Sequence, residues 1–98
     1  MQRETVLRIL REHVTELRVR FGVKTLALFG SVARNEPTPG SDVDLLVEFD
    51  RPVGLLHVIG TEHFLQQLLQ VDRVDLVLRR AVLPEFQEDI FAESVSAL

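Results

Sequence analysis

Two short patterns in the sequence have residue types and spacing that could do chemistry. Gly30-Ser31 follows an apolar run, and Asp42-Val43-Asp44 begins another. A Gly-Ser turn at the end of a strand offers backbone N–H groups and a hydroxyl to an anion such as phosphate. Side chains at positions i and i+2 of a strand point to the same face, which places Asp42 beside Asp44. Each pattern alone is also typical of an ordinary turn or a solvated strand end, but together they predict a metal–phosphate site.

A third acidic residue, Asp75, lies inside the apolar run Val74-Asp75-Leu76-Val77. By strand alternation Asp75 points away from Val74 and Leu76, as an exposed strand residue also would. If the two Asp-bearing strands are neighbours with aligned apolar faces, Asp75 joins the other two aspartates. Three close carboxylates repel, so at least one should have a raised pKa unless a divalent cation is bound. We therefore predict Asp42, Asp44 and Asp75 as the metal ligands.

The amino-acid composition limits which metals and which partners such a site could bind. The chain of 98 residues has no cysteine and a net charge of -4. His57 and His63 are six residues apart and would lie on different faces of a helix, so they do not form a metal-binding pair. Without cysteine or a histidine pair, the metal ligands must be oxygens, which favours Mg²⁺, Mn²⁺ or Ca²⁺. The acidic charge argues against unaided binding to nucleic acid. No apolar run approaches a membrane span and the charged N-terminus does not resemble a signal peptide, so we expect one cytoplasmic domain over residues 1–98.

The surrounding sequence predicts the elements that must position these residues. Hydrophobic periodicity and the placement of glycine and proline indicate, in order, a helix over 2–20 ended by Gly22, a strand over 25–29, a turn-rich segment over 30–41, a strand over 43–49, a helix over 54–69, a strand over 73–78 and a helix opened by Pro84. This order predicts an α/β (α+β) domain, with a small mixed sheet of about three strands and helices packed on one face. On the strand over 43–49, Val43, Leu45 and Val47 should face the core and the aspartates should face away from it.

The combined site would suit phosphoryl chemistry. Gly30, Ser31 and Arg34 would bind the phosphates of a nucleotide. Asp42 and Asp44 would hold Mg²⁺, which neutralises charge on a leaving pyrophosphate, and Asp75 would ligate a second ion or accept the proton of the attacking hydroxyl. Neither a Walker pattern nor a G-x-G-x-x-G is present, which excludes the P-loop and Rossmann alternatives.

The segment LFGSVARNEPTPGSDVDLLVEF resembles the G-S-x10-D-x-D signature of the minimal nucleotidyltransferases, members of the DNA polymerase beta superfamily. The resemblance implies a nucleotidyltransferase fold, with Gly30 and Ser31 as the nucleotide-phosphate turn and Asp42 and Asp44 as the Mg²⁺ ligands. The later VDLV resembles the strand that carries the third acidic residue of the family. Asn35 stands where many relatives have glycine; because asparagine tolerates positive φ, the turn should survive.

The resemblance also implies a partner and a reaction. Small proteins of this family are often antitoxins paired with a HEPN-domain ribonuclease toxin, and their implied activity is transfer of AMP from ATP to a tyrosine of that toxin. We therefore expect ATP as substrate, Mg²⁺ or Mn²⁺ as cofactor and a HEPN toxin as partner, because a chain of 98 residues leaves no room for an acceptor-binding domain. Two alternatives are an antitoxin that masks the toxin sterically without catalysis, and nucleotidyl transfer to a small molecule by a homo-oligomer.

Overall fold

The computed structural model describes residues 2–36 and 42–98, so the prolines of the predicted turn lie outside the described residues. Along the chain the elements are α1 (Arg3–Glu12), α2 (Val14–Phe21), β1 (Val23–Phe29), α3 (Gly30–Ala33), β2 (Val43–Phe49), α4 (Leu55–Leu69), β3 (Val74–Leu78), a 3₁₀ turn (Arg79–Ala81), α5 (Pro84–Glu93) and β4 (Val95–Ser96). Gly22 caps α2 in the left-handed conformation with φ 69°, as its position in the sequence predicts.

The strands form one mixed sheet in the order β3-β2-β1-β4. β1 runs antiparallel to both β2 and β4, whereas β2 and β3 are parallel and are joined by the α4 crossover. The predicted class is confirmed, but the sheet has four strands where the sequence predicts about three. The additional strand, β4, has only two residues, too few to give a detectable alternation, and it forms by pairing with Ala27 and Leu28 of β1.

The helix predicted over 2–20 is divided in two at His13, whose φ and ψ are -113° and 21°. The Nδ1 atom of His13 lies 2.8 Å from the carbonyl oxygen of Ile9, and its backbone N–H donates instead to Leu10. The imidazole thus takes the acceptor that the backbone N–H of residue i+4 would use in a regular helix, which explains the break.

The main core lies between one face of the sheet and the helices α1, α2 and α4. Its fully buried leucines come from both layers: Leu10, Leu17, Leu65 and Leu69 from the helices, and Leu26, Leu28 and Leu45 from the strands. As predicted, alternate residues of β2 face this core.

No helix in the described ranges is both long and apolar enough to cross a membrane.

The opposite face of the sheet, which carries the aspartates, is partly covered. Leu46 of β2 is 2% exposed although it lies outside the main core cluster. It lines a cleft together with Arg79, Ser94 and Leu98, so the C-terminal segment lies over this face. The part of this face around Leu46 is therefore shielded from water.

Candidate active site

Strand pairing brings predicted site residues together at one end of the sheet, where β1 ends and β2 and β3 begin. Asp44 lies second in β2, and its register partners are Phe29, the last residue of β1, and Asp75 on β3. Gly30 follows Phe29 directly. Asp44 is thus flanked by the Gly-Ser turn on one side and by the third aspartate on the other.

Gly30 is in direct contact with Asp44. Its φ is +76°, in the left-handed region that favours glycine, and a Cβ built there would overlap Asp44 Oδ2 and lie 3.0 Å from Asp44 Cγ. Any larger residue at position 30 must therefore displace the carboxylate of Asp44. The turn and the carboxylate form one packed unit.

The carboxylates influence one another's charge. Burial and, in smaller part, the nearby charges of Asp75 and Asp42 raise the pKa of Asp44 from 3.8 to about 6. The direction of this shift is the one expected for the aspartate cluster, although burial contributes more to it than the repulsion from either neighbouring aspartate. Asp75 is exposed, and Asp42 is half-buried with Oδ1 3.7 Å from the Nε of Arg73. The site therefore places the negative charge of two other aspartates near a partly buried carboxyl group.

This donor set fits Mg²⁺, although it is no closed cage. Within residues 2–36 and 42–98, no three carboxylate or imidazole groups converge closely enough to enclose an ion. The three aspartates predicted as ligands, Asp42, Asp44 and Asp75, do not form such a cluster, and their shared metal role stays a prediction. Mg²⁺ at phosphoryl-transfer sites commonly takes one or two carboxylates and completes its shell with water and substrate phosphates. Asp42 and Asp44 supply such a pair, and the raised pKa of Asp44 marks a charge that a cation would relieve.

The turn that follows Gly30 adopts the conformation its sequence allows. Gly30–Ala33 forms a single helical turn, the carbonyl of Ser31 accepts the N–H of Glu36 at 2.9 Å, and Asn35 takes a φ of 57°. The expectation that asparagine preserves the turn is confirmed. Ser31 is half-buried and Arg34 is exposed beside it.

One residue at this edge was not predicted from the sequence. Glu93, the last residue of α5, accepts the N–H of Gly30 at 3.0 Å through Oε1 and the Nη1 of Arg34 at 2.9 Å through Oε2. It also adds to the negative charge that raises the pKa of Asp44. No motif marks Glu93, and its contacts span about sixty residues of sequence, so only the fold reveals it.

The pKa of Asp44 makes the stability of the metal-free protein depend on pH. Because the folded-state value of about 6 lies above the ordinary value of 3.8, the folded protein holds this proton more tightly than the unfolded chain does. The resulting stabilisation is fully present below about pH 4 and is lost as the pH rises through about 6.

Asp44→Asn imitates the protonated carboxyl group and cannot titrate, so it isolates this effect. From about pH 5 to about pH 8, we expect the free energy of unfolding of the wild type to fall by about 1 kcal/mol relative to the variant, a value reduced for solvent screening. Urea unfolding in the presence of EDTA measures it. A difference between the two proteins that stays constant over this range would contradict the prediction.

Comparison with known proteins places the chain in a family. The model of the nucleotidyltransferase domain matches residues 10–96. The protein adenylyltransferase MntA of Thermococcus cleftensis is 40% identical over 92 residues, which cover 94% of this chain and 92% of that protein. A solved structure described as a candidate minimal nucleotidyltransferase is 41% identical, covers 97% of this chain and 95% of that one, and superposes with a TM-score of 0.78.

A second solved structure shares the fold at much lower identity. It is the complex of a tri-AMPylated Shewanella oneidensis HEPN toxin with an MNT antitoxin. The matched chain of that complex is 17% identical to this protein, the match covers 94% of this chain and 71% of that one, and the TM-score is 0.66. The match over residues 10–96 and the identity of 40% to a nearly full-length relative show the family. The chain therefore belongs to the nucleotidyltransferase domain family and is an enzyme of the minimal nucleotidyltransferase type.

Proposed function

We propose that this protein transfers AMP from ATP to a hydroxyl group of a partner protein, and that the partner is a HEPN-domain toxin in which a tyrosine is the acceptor. The observation that carries the proposal is the position of Asp44, which packs against Gly30 and is in register with Asp75. A phosphate-binding turn and carboxylates at one edge are what nucleotidyl transfer requires. A relative named protein adenylyltransferase and a structural neighbour containing an AMPylated HEPN toxin support the choice of acceptor.

The residues of the chain divide the work of the proposed reaction between phosphate binding and proton transfer. The backbone N–H of Gly30, the hydroxyl of Ser31 and the guanidinium of Arg34 bind phosphate oxygens of ATP. Asp42 and Asp44 would hold Mg²⁺, or Mn²⁺ in its place. When bound, the ion neutralises the charge that develops on the leaving pyrophosphate.

Asp75 serves the acceptor side of the reaction. The oxygen of the acceptor hydroxyl forms a bond to the α-phosphorus, the bond from that phosphorus to the bridging oxygen breaks, and pyrophosphate leaves. The carboxylate of Asp75 accepts the hydroxyl proton. Because Asp75 is exposed, a hydroxyl presented by another protein has access to it from solvent.

Isotopic labelling tests the proposal. The purified protein is mixed with the protein encoded by the neighbouring gene, MgCl₂ and ATP labelled either at the α- or at the γ-phosphate. Label from the α position should reach the partner, whereas label from the γ position should not, because it leaves in pyrophosphate. Transfer from the γ position, or no transfer with Mg²⁺ or Mn²⁺ present, would refute adenylyl transfer.

Steric masking is a second candidate, favoured by apolar side chains that face solvent. Leu55 and Leu56 at the start of α4 are 73% and 83% exposed, and Val19 on α2 is 79% exposed. Single exposed apolar residues are ordinary, but the adjacent pair Leu55 and Leu56 would be buried by a protein partner that docks on the start of α4. A purely masking antitoxin would neutralise its toxin without the site carboxylates, whereas transfer requires them.

A further inference from the structure

Glu93 is bound to two groups that the proposed reaction assigns to the nucleotide. One carboxylate oxygen accepts the backbone N–H of Gly30 at 3.0 Å, and the other accepts the Nη1 of Arg34 at 2.9 Å. The side chain of Glu93 is 28% exposed and that of Arg34 is 47% exposed. A carboxylate from α5 thus bridges the Gly-Ser turn and the arginine beside it.

The single backbone N–H of Gly30 cannot serve a carboxylate and a phosphate at the same time, and a phosphate that approaches Arg34 meets the negative charge of Glu93. Each donor makes its strongest hydrogen bond to one charged acceptor, and two anions on the same pair of donors repel each other. Asp44, packed against Gly30, adds more negative charge to this place. A phosphate can therefore take the N–H of Gly30, and can bind Arg34 without a competing anion, only when Glu93 has withdrawn.

We propose that Glu93 is an internal competitor of the nucleotide: its carboxylate occupies the phosphate-binding donors in the free protein, and the triphosphate must displace it. The inference rests on the proposed function, because it assumes that Gly30 and Arg34 bind phosphate. Glu93 then sets the affinity for ATP without contacting the reacting atoms. Release of Arg34 from Glu93 is the step that opens the turn to the nucleotide.

Glu36 provides a matched control for Glu93. It also lies next to Arg34, with its Oε2 3.5 Å from the Nε of the arginine, but its side chain is 70% exposed and the carboxylate bound to Gly30 is that of Glu93. Glu36→Gln and Glu93→Gln each remove one negative charge, and both charges lie next to Arg34. Only the second removes the charged competitor from the turn.

Calorimetric titration of wild type and both variants with ATP and Mg²⁺ tests the inference. We expect Glu93→Gln to lower the Kd for ATP about five- to tenfold, because a charged competitor is lost, and Glu36→Gln to change it less than about twofold. Glu93→Ala should give the same tightening, which guards against a folding defect in one variant. The NMR signal of the Gly30 amide should also shift when ATP binds to the wild type, since its partner changes.

The outcomes separate this inference from the proposed function. If the wild type binds ATP but both Glu93 variants bind it equally or more weakly, Glu93 supports nucleotide binding and the competition is refuted, while adenylyl transfer stands. If tightening in Glu36→Gln equals that in Glu93→Gln, net charge explains it and the inference fails. If none of the proteins binds ATP with Mg²⁺, the proposed function fails and the inference with it.

Discussion

Asp44→Asn should reduce AMP transfer by about a thousandfold or more while the protein stays folded. Asparagine keeps the shape of the side chain against Gly30 but removes the charge that would hold the metal ion at the centre of the site. Loss of a metal-bound charge at a phosphoryl-transfer site is worth several kcal/mol of barrier, and each 1.36 kcal/mol is tenfold in rate. Initial rates with α-labelled ATP and partner protein measure the effect.

Asp72→Asn is the matched control. It makes the same chemical change to an exposed aspartate just before β3, and its rate should stay within about twofold of the wild type. Because Asp44→Asn relieves repulsion at neutral pH, its free energy of unfolding should equal or exceed that of the wild type, so lost activity will not reflect lost folding. Transfer that persists in Asp44→Asn would exclude the proposed role of this residue.

The same variant separates the two candidate functions. If transfer is the means of neutralisation, Asp44→Asn binds the toxin and fails to silence it. If the variant abolishes label transfer and still silences the toxin, the exposed apolar surface at Leu55 and Leu56 does the work by masking.

Local chemistry explains which features of the fold were predictable. Gly22 and Asn35 take positive φ because glycine has no Cβ and asparagine tolerates the left-handed region better than most residues. Val43, Leu45 and Val47 face the core because successive strand residues point to opposite faces. These outcomes depend on neighbours in sequence. The adjacency of Asp44 and Asp75 needed one further assumption, that their strands are neighbours, which the parallel pairing meets.

Features that depend on distant contacts were not predictable. β4 forms by pairing with an edge of β1 that is distant in sequence. The break at His13 was not predicted for another reason: its cause is the local contact of the imidazole with Ile9, and the apolar periodicity continues through it. Leu46 points to the aspartate face and is still buried, because the C-terminal segment covers it. Glu93 belongs to the same class: nothing in its own segment indicates that it reaches Gly30.

Gly30→Ala should be among the most damaging single-methyl additions in the described part of the chain. A φ of +76° costs a residue with a Cβ about 1–2 kcal/mol, and the overlap with the carboxylate of Asp44 adds about 1 kcal/mol or more. We expect the free energy of unfolding to fall by about 2–3 kcal/mol and AMP transfer to fall at least about a hundredfold, because the alanine displaces Asp44. Urea unfolding and labelled-ATP assays measure the two effects.

Gly60→Ala makes the same chemical change where the structure predicts the opposite sign. Gly60 lies in α4, is exposed, and a Cβ there would meet no atom within 4 Å, so alanine should stabilise the protein by about 0.5–1 kcal/mol and leave transfer unchanged.

Repeating Gly30→Ala in an Asp44→Ala background removes the carboxylate that the new methyl would strike. There the cost should shrink towards the backbone part, about 1–2 kcal/mol, although the Cβ of residue 44 stays 3.2 Å from the new methyl, so the two positions should be energetically coupled. An equal cost of Gly30→Ala in both backgrounds would mean that the turn does not depend on its contact with Asp44.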